Sequence, residues 1–364
     1  MPLYHATAGI LALYVVIWSR STFCLGHKFS KTTYIDECRR HEATVMQYVG
    51  EMARYLLSAP PKPTDRQHNL RMAYGNGMRP DVWEKFRERF GIPVIAELYA
   101  ATEGMSSRLN YNDGEIGAGA IGRSGPLLST VLGQTTSIVK IDPETNELIR
   151  DKDGFCIKCK NNEKGELLCL IDEASGANFL GYYKNKKASD EKVATDVFKK
   201  GDKHFRSGDI LYVDDDHRTY FDDRIGDTFR WKGENVSTME VANVVAMVPG
   251  VMQANVYGIK LPNHDGRAGC AKINLSQGAT LDLAAMDEVV ARELPKYAIP
   301  LFLRVSNQDL EVTGNMKLRK VESRDEGADP RKGPEDEYYW YRDGHYSKFT
   351  VDDYKKIEDG LIRF

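Results

Sequence analysis

The chain has 364 residues, 41% of them apolar, and its 50 Lys plus Arg against 53 Asp plus Glu leave a formal charge of −3. That length admits two or three domains with real cores, and the near balance of charge excludes a field that would gather a nucleic-acid backbone over the whole surface. Six cysteines, scattered at 24, 38, 156, 159, 169 and 270, do not make a disulfide framework and point to a reducing compartment.

The first predicted element is the apolar run from Ala8 to Trp18. It has no basic leader and falls short of the roughly 20 apolar residues that cross a bilayer, so a buried core helix is expected. The segment Val45 to Leu57 repeats apolar residues at helical spacing and ends at Pro60-Pro61. Next, LRMAYGNGMRPDVWEKFRERFG reads as a strand, a turn at Gly75-Asn76-Gly77, and a helix opened by Pro80 and closed by Gly91. The strand IPVIAELYA then runs into Thr102-Glu103-Gly104, which sets polar groups at a strand's C-terminal end, where open α/β sheets place ligands.

From Gly117 to Asp223 short strands alternate with Gly and Asp turns. GDILYVDDDHRTYFDDR reads as a β-hairpin whose acidic tip, Asp214 to Asp216, is a solvated turn in preference to a calcium loop. Cys156 and Cys159 form a lone CxxC without the second pair a zinc site needs, so a plain strand pair is the expectation. Lys184 to Lys200 mixes both charge signs and reads as a surface helix and loop. After Gly226 an α+β unit follows: a helix in TMEVANVVAMVPG, strands around ANVYGIKL and CAKINL, and a helix over Ala284 to Leu294. The aromatic and charged tail from Glu322 is expected to lie on a domain surface.

YAATEG, FRSGD, DRIGDTFRWKGENVSTMEV and TGNMKLRK, in this order and at these separations, resemble the adenylate-forming (AMP-binding) enzymes, specifically the branch of very-long-chain acyl-CoA synthetases and fatty acid transport proteins. The likeness runs from PLYH near the start to TGNMK near the end. It implies an α/β fold: a multi-layer large domain, incomplete here, over residues 1–223, a small α+β lid over 224–322, and an extension over 323–364. It also implies a two-step reaction in which a fatty carboxylate attacks ATP to give acyl-AMP, and coenzyme A then displaces AMP.

The resemblance assigns tasks to residues. Tyr99 offers a flat face for adenine, with Gly75, Asn76 and Gly77 allowing close backbone approach. Thr102 and Glu103 correspond to the pair that meets the α-phosphate and Mg²⁺; read alone, they are a helix cap. Asp209 corresponds to a ribose anchor, its alternative a turn aspartate. Arg224 suits phosphate or ribose oxygens, its alternative an ion pair with Asp222 or Asp223. Gly226 stands where the family places the lid's pivot, and a glycine adapts to a large backbone rotation at little steric cost. Trp231, Lys232 and Gly233 are candidates for the coenzyme A path, with core packing an equal alternative for Trp231. Lys317, preferred over Lys320, corresponds to the adenylation lysine, and His5 to a position lining the acyl or coenzyme A channel, or else a structural histidine.

The family's Ser/Thr/Gly-rich triphosphate loop ending in Lys has no counterpart in this sequence; Gly114 to Pro126 lacks the hydroxyls and the lysine. Turnover by this chain is therefore weighed against a catalytically inactive AMP- or lipid-binding or interaction protein. Expected partners are a fatty acid, ATP and coenzyme A, with peripheral membrane association and no nucleic acid. The terminal Leu-Ile-Arg-Phe is not a peroxisomal address, leaving peroxisome, endoplasmic reticulum and lipid-droplet surfaces open within an intracellular setting.

Overall fold

A computed structural model describes the chain except for residues 1–2, 4–5, 102, 104, 126, 128–129, 131–134, 143–144, 173–177, 265, 277, 307–309 and 311–319. It is a mixed α/β structure in two compact units. One gathers Leu3–Ala53 and Pro60–Gly226, the other Arg54–Ala59 and Asp227–Phe364.

The first unit holds two sheets. Strands β1 (Val45–Val49), β2 (Met72–Asn76) and β3 (Val94–Ala100) run parallel, and β4 (Ser107–Asn112) closes the order β1-β2-β3-β4 antiparallel to β3. The run expected to be helical from Val45 is thus a strand for its first five residues, and the helix Gly50–Ser58 begins only afterwards. Met46 and Tyr48 are buried on one face of the pleat, Val and Tyr favour a strand, and pairing with β2 overrides the weaker helical period. The helix Pro80–Phe90 forms as the sequence indicates: Pro80 sits in its first turn, Gly91 takes the left-handed C-cap conformation (φ 65°), and Trp83, Phe86 and Phe90 are buried.

The second sheet of this unit has the order β5-β10-β9-β7-β6, with β8 (Val193–Thr195) alongside β9. Its strands are β5 (Ala120–Arg123), β6 (Thr136–Val139), β7 (Gly165–Leu170), β9 (Lys203–Val213) and β10 (Arg218–Arg224). β9 and β10 form the expected hairpin, and the charged stretch before them carries a short exposed helix, Lys186–Glu191. Cys156 pairs with Arg150 in an isolated bridge, and all six cysteines are free thiols.

The N-terminal apolar run is helical, as Ala6–Ala8, a π-helical stretch Gly9–Tyr14 and Val15–Ser19. It is not the buried helix expected. Ala8 and Ala12 are buried, but Ile10, Tyr14, Val15, Ile17 and Trp18 are exposed, Trp18 at 80%. The run docks through one narrow stripe and its own carbonyls, with Gln47 Nε2 donating to the Thr7 carbonyl at 2.6 Å and the Tyr74 hydroxyl to that of Leu11. Small residues at that stripe leave the large apolar side chains of the other faces without a surface to cover. No helix among the described residues is long and apolar enough to cross a membrane.

In the second unit, the hairpin β11 (Phe229–Trp231) and β12 (Glu234–Val236) turns through Lys232 and Gly233, both at positive φ (52° and 85°), as a two-residue hairpin requires. The helix Thr238–Val245 is capped by Ser237, whose Oγ accepts from Glu240 N–H at 3.2 Å. A five-stranded sheet follows in the order β13 (Val251–Ile259), β14 (Ala268–Leu275), β15 (Phe302–Ser306), β16 (Glu337–Arg342), β17 (His345–Lys348). Residues 323–364, anticipated as an appended extension, supply two of these strands and the helix Val351–Glu358, because Tyr338, Trp340, Tyr346 and Phe349 are core side chains.

Candidate functional site

The parallel pairing of β2 and β3 closes with Gly75 opposite Glu97; β2 ends at Asn76, while β3 runs on to Ala100 against β4. Gly75 cannot carry a side chain there, since a Cβ would collide with the Tyr48 carbonyl oxygen, and Gly77 takes the left-handed conformation (φ 80°). Backbone is therefore presented bare at this corner. Two residues beyond Glu97, Tyr99 still pairs with Arg108 of β4, while its side chain packs beside Ile121, Leu167, Cys169, Phe205 and Leu211 of the six-stranded sheet.

Its hydroxyl donates to Asp209 Oδ2 at 2.6 Å. Burial, and then the neighbouring Asp209 carboxylate, hold that phenol protonated well beyond its ordinary range. The other carboxylate oxygen, Oδ1, accepts from Arg224 Nε at 3.3 Å. Arg224 reaches Asp209 because of a β-bulge: Phe221 pairs with Leu211, but after one extra residue Asp223 pairs with Ile210 and Arg224 with Asp209. Directly opposed residues share a face, so the bulge converts a hairpin into a carboxylate–guanidinium pair. Arg224 keeps 56% of its side chain exposed, leaving much of its fork open to a ligand.

The turn carrying Asp209 is held from behind. Glu166, almost fully buried, accepts from Arg206 Nε and Nη2 at 3.0 and 2.8 Å and from Gly208 N–H at 3.0 Å. Glu103 accepts from the Tyr182 hydroxyl at 2.7 Å. Burial, then this carboxylate, push the Tyr182 phenol up to about 12. Glu103 thus keeps a second oxygen for a hard cation, and a single carboxylate completed by phosphate oxygens suits Mg²⁺. Among the described residues no group of three or more His, Cys, Asp or Glu gathers as a cage for a metal ion.

The structure brings Gly75, Asn76, Gly77, Tyr99, Glu103, Asp209 and Arg224 into one unit, with Gly226 its last residue. Trp231, Lys232 and Gly233 belong to the other unit, where the indole is 6% exposed in the core and Lys232 and Gly233 form the exposed hairpin tip. His5, Thr102 and Lys317 lie outside the described residues. Lys320, the less favoured lysine, donates to Asp227 Oδ2 at 3.0 Å and Thr238 Oγ1 at 2.7 Å. Sequence reasoning passed over Glu97, Glu166 and Tyr182; the signal for the first was an acid inside the apolar strand VIAELYA, since an unpaired carboxylate is rarely buried.

A bare-backbone turn beside parallel strands, an aromatic face, and a carboxylate beside a guanidinium are the features that the resemblance to adenylate-forming enzymes assigns to a nucleotide site. Residues 1–183 match the model for AMP-binding enzymes, and the chain belongs to that family. Within that family the chain is 45% identical over all its length to the very long-chain fatty acid transport protein of Cochliobolus heterostrophus, covering 57% of that protein. It is 42% identical to rat long-chain fatty acid transport protein 2, again over all of this chain and 57% of the relative. A third relative, isopenicillin N epimerase component 1 of Hapsidospora chrysogena, is 43% identical over 97% of this chain and 60% of its own. The chain therefore spans somewhat over half the length of these relatives.

Among solved structures, ATP-bound MatB from Rhodopseudomonas palustris superposes with a TM-score of 0.69 at 21% identity, over 89% of this chain and 58% of that one. The AMP complex of O-succinylbenzoate coenzyme A synthetase from Bacillus subtilis gives 0.63 at 22%, over 87% and 58%. These likenesses concern the fold.

Proposed function

We propose that the chain carries the nucleotide half of a fatty acyl-CoA synthetase, which activates a long or very-long-chain acid as acyl-AMP and passes the acyl group to coenzyme A. The observation that carries this reading is the hydrogen-bonded set Tyr99–Asp209–Arg224 beside the Gly75–Gly77 turn. Tyr99 supplies a face for adenine. Asp209 accepts from the two ribose hydroxyls, displacing its present donors. Arg224 swings its exposed fork to ribose or phosphate oxygens. Mg²⁺ bound at Glu103 would neutralise phosphate charge, and the resemblance gives the α-phosphate to Thr102 and Lys317. The names of the fatty acid transport relatives support the acid's class.

ATP–pyrophosphate exchange driven by a long-chain acid, with hydroxylamine trapping of the acyl-adenylate, tests the reading. Acid-dependent exchange supports it. Exchange at background, together with an AMP-induced thermal shift, transfers support to the second reading, an AMP-binding protein without turnover. No response to AMP in any form overturns both.

A further inference from the structure

Glu97 is the only member of the strand VIAELYA with a charge, and it is 1% exposed. A buried carboxylate costs several kcal/mol unless donors surround it. Here three do, one from β1 and two from the turn that follows β2. The Tyr48 hydroxyl reaches Glu97 Oε2 from β1, Gly77 N–H reaches Oε1 from the end of β2, and Met78 N–H approaches Oε2 at 3.4 Å. Nothing in the strand's own pairing needs this acid, because β3 already satisfies its backbone on both sides.

The donors are not arbitrary. Gly77 is the left-handed residue of the turn, and a Cβ at Gly50 would collide with the Gly77 carbonyl oxygen. Glu97 thus holds the 76–77 peptide through the Gly77 N–H and the 77–78 peptide through the Met78 N–H, while the Gly77 carbonyl lies against Gly50. Tyr99, two residues along the same strand, projects the aromatic face from the same edge. We infer that Glu97 is a positioning residue that clamps the Gly77–Met78 backbone to β1 and β3, so that the bare turn and the Tyr99 ring form a fixed slot for a planar base. The inference rests on the nucleotide-site reading for its purpose, but the clamp itself stands on contacts that need no ligand.

The test separates the two. Glu97→Met fills the volume and removes both acceptors; Glu97→Gln keeps the acceptor for Gly77 and replaces the one near Met78. Val197→Ala, a buried site among Val139, Cys156 and Leu168, serves as a control for general destabilisation. Amide exchange without ligand is expected to quicken by about tenfold or more at Gly77 and Met78 in E97M, beyond any change in V197A, and at Met78 alone in E97Q. Calorimetric titration with AMP should weaken about tenfold in E97M and stay near wild type in V197A. Gly77 and Met78 exchanging in E97M no faster than in V197A overturns the clamp, as does unchanged AMP affinity beside loosened amides for its role in the slot. If wild type takes up no AMP, the proposed function fails while the exchange comparison still decides the clamp. Should E97M not fold, the unequal response of the two amides in E97Q decides it, and equal wild-type protection at both overturns it.

Discussion

Asp209 is the residue on which the proposed site turns, since both of its oxygens are already engaged by Tyr99 and Arg224. A charge-assisted hydrogen bond contributes about 1.5–3 kcal/mol, so Asp209→Ala should weaken AMP binding by about 10- to 100-fold. Titration calorimetry of that variant checks it, and an affinity within twofold of wild type would remove Asp209 from the site. Glu97 gives a second residue-scale expectation. Burial pushes its carboxyl up from 4.5 to about 8 in the folded chain. At low pH both states hold the proton; as pH rises between those values the unfolded chain releases it first, so wild type loses stability relative to E97Q, and the loss levels off above about 8. Urea midpoints of the two proteins near pH 5 and near pH 9 measure the difference, which should widen in favour of E97Q. An acid in the middle of VIAELYA was visible in the sequence, but its three donors come from residues 48, 77 and 78, and no local pattern names them.

Among the elements, β15 shows how a strand can be held by one buried cation. Arg304, fully buried, donates to Asp336 Oδ2 from Nε and Nη2 at 3.1 and 2.7 Å and to Glu326 Oε2 at 2.7 Å, with Lys272 adding 3.4 Å to Asp336 from β14. Removing one partner of a buried pair strands the other, which typically costs about 3–5 kcal/mol. Arg304→Met should therefore lower the denaturation midpoint of this unit sharply, and a loss below about 1 kcal/mol would show that the carboxylates are satisfied by water instead. Helix ends were the more legible elements: Pro80 and Gly91 bracket their helix, and Ser237 caps its own, because caps act through adjacent backbone groups. The start of the helix at Gly50 was not, since five residues of helical period were taken by strand pairing with β2.

For the whole molecule, the division between Gly226 and Asp227 bears on the proposed pivot. A Cβ at Gly226 would meet nothing within 4 Å, and Gly226 is absent from the glycines at positive φ, so this conformation does not itself demand glycine. If a second arrangement of the lid does, Gly226→Pro should depress coenzyme A thioester formation far more than ATP–pyrophosphate exchange. Equal effects on the two half-reactions, measured side by side, would remove the pivot from that residue. The likeness to enzymes bound to ATP and AMP extends over most of this chain at little more than a fifth identity, which shows how loosely this fold is tied to particular residues.

The order of short polar motifs at strand ends, the caps of its helices and the hairpin from Lys203 to Arg224 were determined by the sequence alone, because each depends on residues a few positions apart. Tertiary structure decided the rest. Whether Arg224 faces Asp209 hangs on a one-residue bulge, whether Glu97 is charged or clamped hangs on three distant donors, and whether an apolar helix is covered hangs on what lies beside it. Each is a matter of register or enclosure, set by the free energy of the assembled sheets, which no window of neighbouring residues contains.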